Sequence, residues 1–494
     1  MSEIRGIQQQ MIDRGIAALK AGDFQTAGQI AETAIARDPN DLAGLALLGK
    51  LHLDLRNYGT ALTVCRMALQ VAQAAGCITA EQWYNVSVAC RKTWQKAPAL
   101  EALDNAAALC GPDDPDIPLA YSSYWLTYGD PAKAEWYARR AVELDPESAM
   151  GHTNLGMALL CLDRWDEAWP HLERRKALAR WTRPADRFPQ WDGQKVGTLI
   201  VHGEQGLGDE IQHYSLLSRI ADRADRIVVE CAERLVPLLR RSLGCEVYGS
   251  LAEAERNGSL EGAHIVAVAS LPLHAGATRE NCADNAYLLP DPLRAIHWRA
   301  RLAGLAGDRP IIGVAWRGGT YENHEVLRNP PRELFKRLSP ERYCLVSVQY
   351  TDGAASQAAE MGMLHFQQAI DDLDEQAALI KACDKLVTVA QTAMHIGGAL
   401  GTETLALIGQ YPKWDCGQSG ESVPWWKSVK AIRQRDDDWD GVFDRLLREL
   451  GEQPSARKVE RFGSVLGAPT TVDLSEINIL GGSDAAAPAI RAAQ

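Results

Sequence analysis

Over the first third of the chain, apolar and small residues return at helical spacing, and the helical stretches come in pairs. An aromatic or turn-forming residue with alanine three positions later recurs as Phe24/Ala27, Tyr58/Ala61, Trp94/Ala97, Pro131/Ala134 and Trp165/Ala168, in steps of 34, 36, 37 and 34 residues. Ala34, Ala68 and Ala141 add a second small position, and Asp38-Pro39 and Asp145-Pro146 stop helices at matching points, since proline does not continue a helix from its interior. The pattern predicts about five helix pairs over residues 1–180, alanines marking close helix approaches and rings filling the space beside them. Gly76-Cys77 and Gly111-Pro112-Asp113-Asp114-Pro115-Asp116 break the regularity of the third unit.

After Trp181-Thr182-Arg183-Pro184 the period is lost. Short β-branched runs at 196–201, 226–230, 246–248 and 265–269, then at 311–316, 344–348, 386–389, 404–408 and 429–432, alternate with helical stretches. Several are apolar without strict alternation, as strands are when helices cover both faces of a parallel sheet. The expected class is α + α/β: a repeat solenoid at 1–180, an N-terminal α/β domain at 181–307, a C-terminal α/β domain at 308–450, and a Gly-, Ser- and Ala-rich tail at 451–494. The repeat length resembles that of tetratricopeptide repeats, whose stacked helices present a concave surface to protein segments. Asn85, His152 and Asn154 are candidate acceptor contacts on it.

Composition narrows the function classes. With 52 Lys+Arg against 64 Asp+Glu, a formal charge of -12 weighs against a nucleic-acid groove, because phosphate backbones reward concentrated positive charge. The 11 cysteines are scattered without Cys-x2-Cys pairs, which fits reduced interior residues better than a disulfide framework or a zinc site. The start lacks signal-peptide character and no segment is long and apolar enough to span a bilayer. A soluble, cytoplasmic, metal-free protein is the expectation.

Chemistry concentrates in two glycine-marked strand ends. Gly203-Glu204-Gln205-Gly206-Leu207-Gly208-Asp209-Glu210 and Gln391-Thr392-Ala393-Met394-His395-Ile396-Gly397-Gly398 each follow an apolar strand and open a helix, where unpaired backbone N–H groups favour anions. Asp209 is placed to act as a general base, with helix capping as the structural alternative. Thr392, His395, Gly397 and Gly398 form the candidate diphosphate site. Arg317, in Trp316-Arg317-Gly318-Gly319, and Arg328 are candidate phosphate clamps. Gln349 and Tyr350 are placed to contact a base, and Asp374 to accept from ribose hydroxyls. Gly203, Gly206 and Gly208 depart from the dinucleotide fingerprint Gly-x-Gly-x-x-Gly, leaving a dinucleotide-dependent oxidoreductase as a lesser alternative.

Taken in order, the two glycine motifs, Val314-Ala315-Trp316-Arg317-Gly318-Gly319, Ser347-Val348-Gln349-Tyr350, the run from Asp372 to Ile380, and Pro424-Trp425-Trp426-Lys427-Ser428-Val429 carry a family resemblance. With the repeats, they resemble bacterial tetratricopeptide-repeat proteins fused to a GT-B glycosyltransferase module, close to heptosyltransferases and to repeat-fused flagellin glycosyltransferases. The resemblance implies a GT-B pair of Rossmann-like domains. It also implies a metal-independent, inverting transferase that moves a sugar from a nucleotide-sugar to a protein acceptor such as flagellin, with Asp209 as base and His395 at the donor phosphate. Ala390-Gln391 stands where many heptosyltransferase-like members carry Asp-Thr, so a non-catalytic repeat scaffold with a nucleotide-sensing α/β module is the alternative.

Overall fold

The computed structural model describes residues 2–178, 187–282, 286–319 and 328–451. The expected boundary at 180/181 and the tail from 452 onward lie outside them. Ten helices open the chain: Ser2–Lys20, Phe24–Arg37, Leu42–Asp54, Tyr58–Ala74, Ala80–Lys92, Lys96–Leu109, Asp116–Thr127, Pro131–Leu144, Ala149–Cys161 and Trp165–Leu172. Asp23, Asp41, Asp130 and Ser148 accept N–H groups of the first turn that follows them, which explains where four of these helices begin. Consecutive helices pack antiparallel into a tetratricopeptide-like solenoid. The recurring alanines Ala27, Ala34, Ala61, Ala134, Ala141 and Ala168 are almost wholly buried, as the repeat logic requires.

The third unit departs from the expected register. Ala97 is exposed, and Ala99 and Ala106 take the two buried small positions. Trp94 sits just before the helix, in the left-handed region at φ 64° with its ring buried. A left-handed residue stands two positions before the helix start in the other units too, at Gly22, Arg56, Gly129 and Asp163, so Trp94 occupies the turn, Lys96 is the first helical position, and the alanine three residues after the tryptophan falls on the outer face.

Two α/β regions follow. The first holds β1 (Val196–His202), β2 (Ala224–Glu230), β3 (Glu246–Tyr248) and β4 (His264–Ala267) in a parallel sheet of order β3-β2-β1-β4. The second holds β5 (Ile311–Ala315), β6 (Cys344–Ser347), β7 (Leu364–His365), β8 (Lys385–Val389), β9 (Thr404–Ile408), β10 (Ser422–Val423) and β11 (Trp426–Arg433) in the order β10-β11-β9-β8-β5-β6-β7. Of these strands only β10, at the edge, runs antiparallel. The nine expected strands are present, while the two-residue β7 and β10 are too short to leave a periodic signal. Every residue of β5, β6 and β9 is buried, consistent with layers covering both faces.

Several contacts join these bodies. The Pro292–Ala306 helix precedes the second sheet and packs on it, with Trp298 donating to Glu375 at 2.7 Å and Arg294 paired with Asp372 at 2.9 Å. Behind the repeats, Trp165 and Trp169 of the last repeat helix meet Trp414 and Trp425 of the second region with ring centroids 5.4–5.8 Å apart. Trp425 also donates to Ser215 of the first region at 3.0 Å, and Trp169 to the Ala277 carbonyl at 2.8 Å. Rings of this size bury large apolar areas, and the indole N–H groups of Trp165, Trp169 and Trp425 each have an acceptor, Trp165 donating to the Leu160 carbonyl at 3.1 Å. Finally, Arg175, in the turn after the last repeat helix, forms a buried ion pair with Glu204 of the loop after β1.

Candidate active site

Both glycine-marked loops lie where the sequence pattern puts them, at the carboxyl ends of β1 and β8, the usual ligand edge of parallel sheets. Each opens a helix, Leu207–Tyr214 and Thr392–Ala399. The two helix starts face each other closely: a Cβ built on Gly208 would lie 3.0 Å from His395 Cδ2 and 3.6 Å from Thr392 Cα. Glycine at 208 is therefore needed for the close approach of the two loops. Asp209, the next residue, is partly exposed at this junction, and its Oδ2 accepts the Gly206 N–H at 3.1 Å. It thus caps its own helix while standing beside the opposite loop.

Glu210 turns inward. It is 2% exposed, its Oε2 accepts the Ala232 N–H at 3.1 Å, and its carboxylate fills the space left by the missing side chain of Gly203. Glu204 accepts the Ala269 N–H at 3.2 Å besides pairing with Arg175, which also donates to Ser270 at 3.0 Å and to Glu173 at 2.9 Å. Two buried carboxylates therefore shape this loop from within, leaving Asp209 as its acid at the junction.

In the second loop, Trp426 donates its indole N–H to His395 Nδ1 at 3.2 Å. An Nδ1 that accepts leaves the proton on Nε2, and His395 Nε2 lies 3.5 Å from Asp415 Oδ2. Burial opposes ionisation of Asp415, but the hydrogen bond from His395, with the positive charges of Lys413 and Arg328, outweighs it and holds the carboxyl well below the usual carboxylate range. Arg328 answers to both acids: burial pulls its pKa down, opposed by Asp415, Cys416 and Asp209. His213, one turn beyond Asp209, is held neutral, its pKa lowered to about 4 chiefly by burial, with Asp209 and Glu204 opposing and Arg175 and His395 reinforcing the shift.

Gly397 and Gly398 have a different use from the expected one. They lie in the body of the helix, where a Cβ would strike Thr404 and Leu386 at 2.6 and 2.7 Å, or Trp426 at 2.3 Å. Their small size lets the helix settle on β8, β9 and the Trp426 ring, and Thr392 with its neighbours forms the N-terminal edge instead. Gln349 is fully buried and accepts the Trp316 and Arg317 N–H groups, both at 2.9 Å, while donating to the Arg317 carbonyl at 2.8 Å. It fixes the turn from which the exposed Arg317 side chain projects. Tyr350 is 45% exposed at the same sheet edge, with Arg317 near enough to oppose the burial that raises its phenol pKa. Asp374 is committed to an ion pair with Arg241 that joins the two α/β regions.

On the solenoid, Asn154 donates to Ser122 and Ser123 at 2.8 and 2.9 Å, and His152 contacts His171 at 2.7 Å and the Pro146 carbonyl at 3.0 Å. These side chains bind neighbouring repeats, and Asn85 is buried in Ala80–Lys92. Sequence reasoning passed over Asp415, Trp426 as a histidine partner, and the Arg175–Glu204 pair. Asp415 had a usable signal: it follows the strand at 404–408 at the same carboxyl edge. Among the described residues, no group of three His, Cys, Asp or Glu is arranged to hold a metal, and no helix is long and apolar enough to cross a membrane.

No family model matches the chain. It is similar to Protein FlbA of Caulobacter vibrioides (strain ATCC 19089 / CIP 103742 / CB 15), at 28% identity over 320 residues, covering 59% of this chain and 53% of that protein. The chain thus spans about half the length of this curated relative. Among solved structures it is similar to the MamA protein, at 21% identity and TM-score 0.28 over 36% of this chain and 97% of the other. It is also similar to TTC0263, a thermophilic TPR protein of Thermus thermophilus, at 20% identity and TM-score 0.31 over 35% and 91% of the two chains.

Proposed function

We propose that the chain is a glycosyltransferase of the GT-B type that moves a sugar from a nucleotide-sugar to a protein acceptor held by the repeats, flagellin being the acceptor its sequence resemblance suggests. The observation that carries this reading is the meeting of two helix starts from two parallel sheets, with Gly208 against His395 and Asp209 beside them. One N-terminus with Thr392, His395, Arg317 and Arg328 suits a diphosphate; the other offers a carboxylate for the acceptor. In the reaction, Asp209 takes the acceptor hydroxyl proton as that oxygen bonds to the anomeric carbon. The bond from the anomeric carbon to the phosphate oxygen breaks with inversion, and the leaving phosphate keeps the electron pair, steadied by His395, Arg317 and backbone N–H groups.

The test is intact-mass analysis after incubating the protein with CMP-, UDP-, GDP- and ADP-sugars and candidate acceptors. A sugar-sized addition that Asp209→Asn loses while keeping nucleotide affinity supports the reading; unchanged turnover in Asp209→Asn removes Asp209 as the base. One observation favours a nucleotide-sensing scaffold instead: both ring nitrogens of His395 face protein partners, Trp426 and Asp415. Binding of a nucleotide-sugar without transfer to any acceptor would decide for it.

A further inference from the structure

The oxygens of Asp415 are unequally served. Oδ2 faces the His395 N–H at 3.5 Å, whereas Oδ1 is buried with no hydrogen-bond partner among the described residues. A carboxylate kept for structure alone normally has its buried acceptors satisfied, so this one is held at a cost. The groups around it are those assigned above to a phosphate, His395 and Arg328, joined by Lys413. On this basis, we infer that Asp415 is a built-in competitor for the donor: its carboxylate fills the place of a nucleotide-sugar phosphate against His395, Arg328 and Lys413, and the donor binds by displacing it.

The loop that carries Asp415 is built to be held from the solenoid side. It leaves β9 at Ile408 and reaches glycines with positive φ at Gly417 (69°) and Gly420 (72°). Before these glycines, Tyr411 accepts from Lys96 Nζ at 3.3 Å, lies edge-on to Tyr128 at 5.9 Å, and leaves no room for a side chain at Gly129. Trp414, next to Asp415, packs on Trp165 and Trp169. Contacts with the repeats therefore set how firmly Asp415 is presented to His395, and they tie the acceptor-holding body to the donor site. Displacement moves a carboxylate from a site that leaves one oxygen unmet to solvent, where both are hydrated.

The inference rests on the donor site proposed above, and pyrophosphate is the probe that tests both, by calorimetric titration of the full chain at fixed ionic strength. Asp415→Asn keeps the shape and removes the charge, so it should bind pyrophosphate about tenfold or more tightly than the unaltered protein, because a like charge beside a bound anion is removed. Tyr411→Ala, which loosens the loop without touching the site, should tighten binding by a smaller factor. His395→Ala should weaken it. Equal or weaker binding by Asp415→Asn, with an unchanged melting curve, overturns the inference and leaves Asp415 as a residue that only positions His395; if that variant melts early, Asp415→Ser carries the comparison. Failure of every variant to bind pyrophosphate rejects the phosphate site itself, and the competitor with it.

Discussion

The Arg175–Glu204 pair allows a quantitative test of how the solenoid is fastened to the loop that bears Asp209. Both side chains are about 5% exposed. Replacing Arg175 with Met leaves Glu204 as a buried charge with only the Ala269 N–H to stabilise it, and breaking a buried pair in this way costs about 3–5 kcal/mol. Replacing Glu204 with Gln is milder, on the order of 1–3 kcal/mol, because a hydrogen bond to a charged group is lost while Arg175 keeps Glu173 at 2.9 Å. The double variant buries no unpaired charge, so its loss should fall short of the summed single losses by about 2 kcal/mol, within the range seen for directly coupled residues. Urea unfolding followed by tryptophan fluorescence and circular dichroism gives the four free energies. Additivity within about 0.5 kcal/mol would mean that the two groups are not coupled, and the account of the fastening would be wrong.

Other outcomes follow from the same geometry. Trp425→Ala should cost about 3–5 kcal/mol, the range for emptying a large aromatic site, and should separate unfolding of the repeats from that of the α/β regions; one unaltered transition in scanning calorimetry would count against the tryptophan junction. Gly208→Val should push the two loops apart, since its Cβ position lies 3.0 Å from His395, and hydrogen exchange should then rise in both 203–210 and 391–396; an effect confined to the first loop would deny the contact. His213 has a folded pKa of about 4 against an ordinary 6.5, so the folded protein binds fewer protons between those values. Stability tied to His213 is full above pH 6.5 and lost as pH falls through that window, by about 3 kcal/mol in all. The drop in urea midpoint from pH 7 to pH 4.5 should therefore be smaller in His213→Gln; equal drops would place the titration elsewhere.

The repeat period, the nine longer strands and the two glycine-marked loops were legible in the sequence because each depends on neighbours along the chain. Buried alanine at fixed spacing, apolar runs of strand length and glycine at a strand end act through local sterics and backbone hydrogen bonding. The slip from Ala97 to Ala99 is a local exception, since Trp94 takes the left-handed turn position that Gly22, Arg56, Gly129 and Asp163 hold in the other units, and the aromatic ring alone does not show that the helix starts two residues later. Asp209 and His395 could be singled out singly for the same reason: each sits in the first turn of a helix that follows a strand.

What tertiary structure alone decided is which polar side chains meet. Gln349 and Gly398 carry the residue types of a binding site, yet one holds a backbone turn and the other makes room for Trp426. Asp415 belongs to no motif; its place after the 404–408 strand marks the sheet edge, but its contact with His395 arises only where the loop after β9 packs between the repeats and the second sheet. Arg175 and Glu204 lie 29 residues apart, and Trp165 and Trp425 are farther apart still. The energy of such contacts comes from desolvation and charge pairing between groups that only the packed chain brings together, so the sequence defines the two half-sites and the packing of three bodies determines how they face each other.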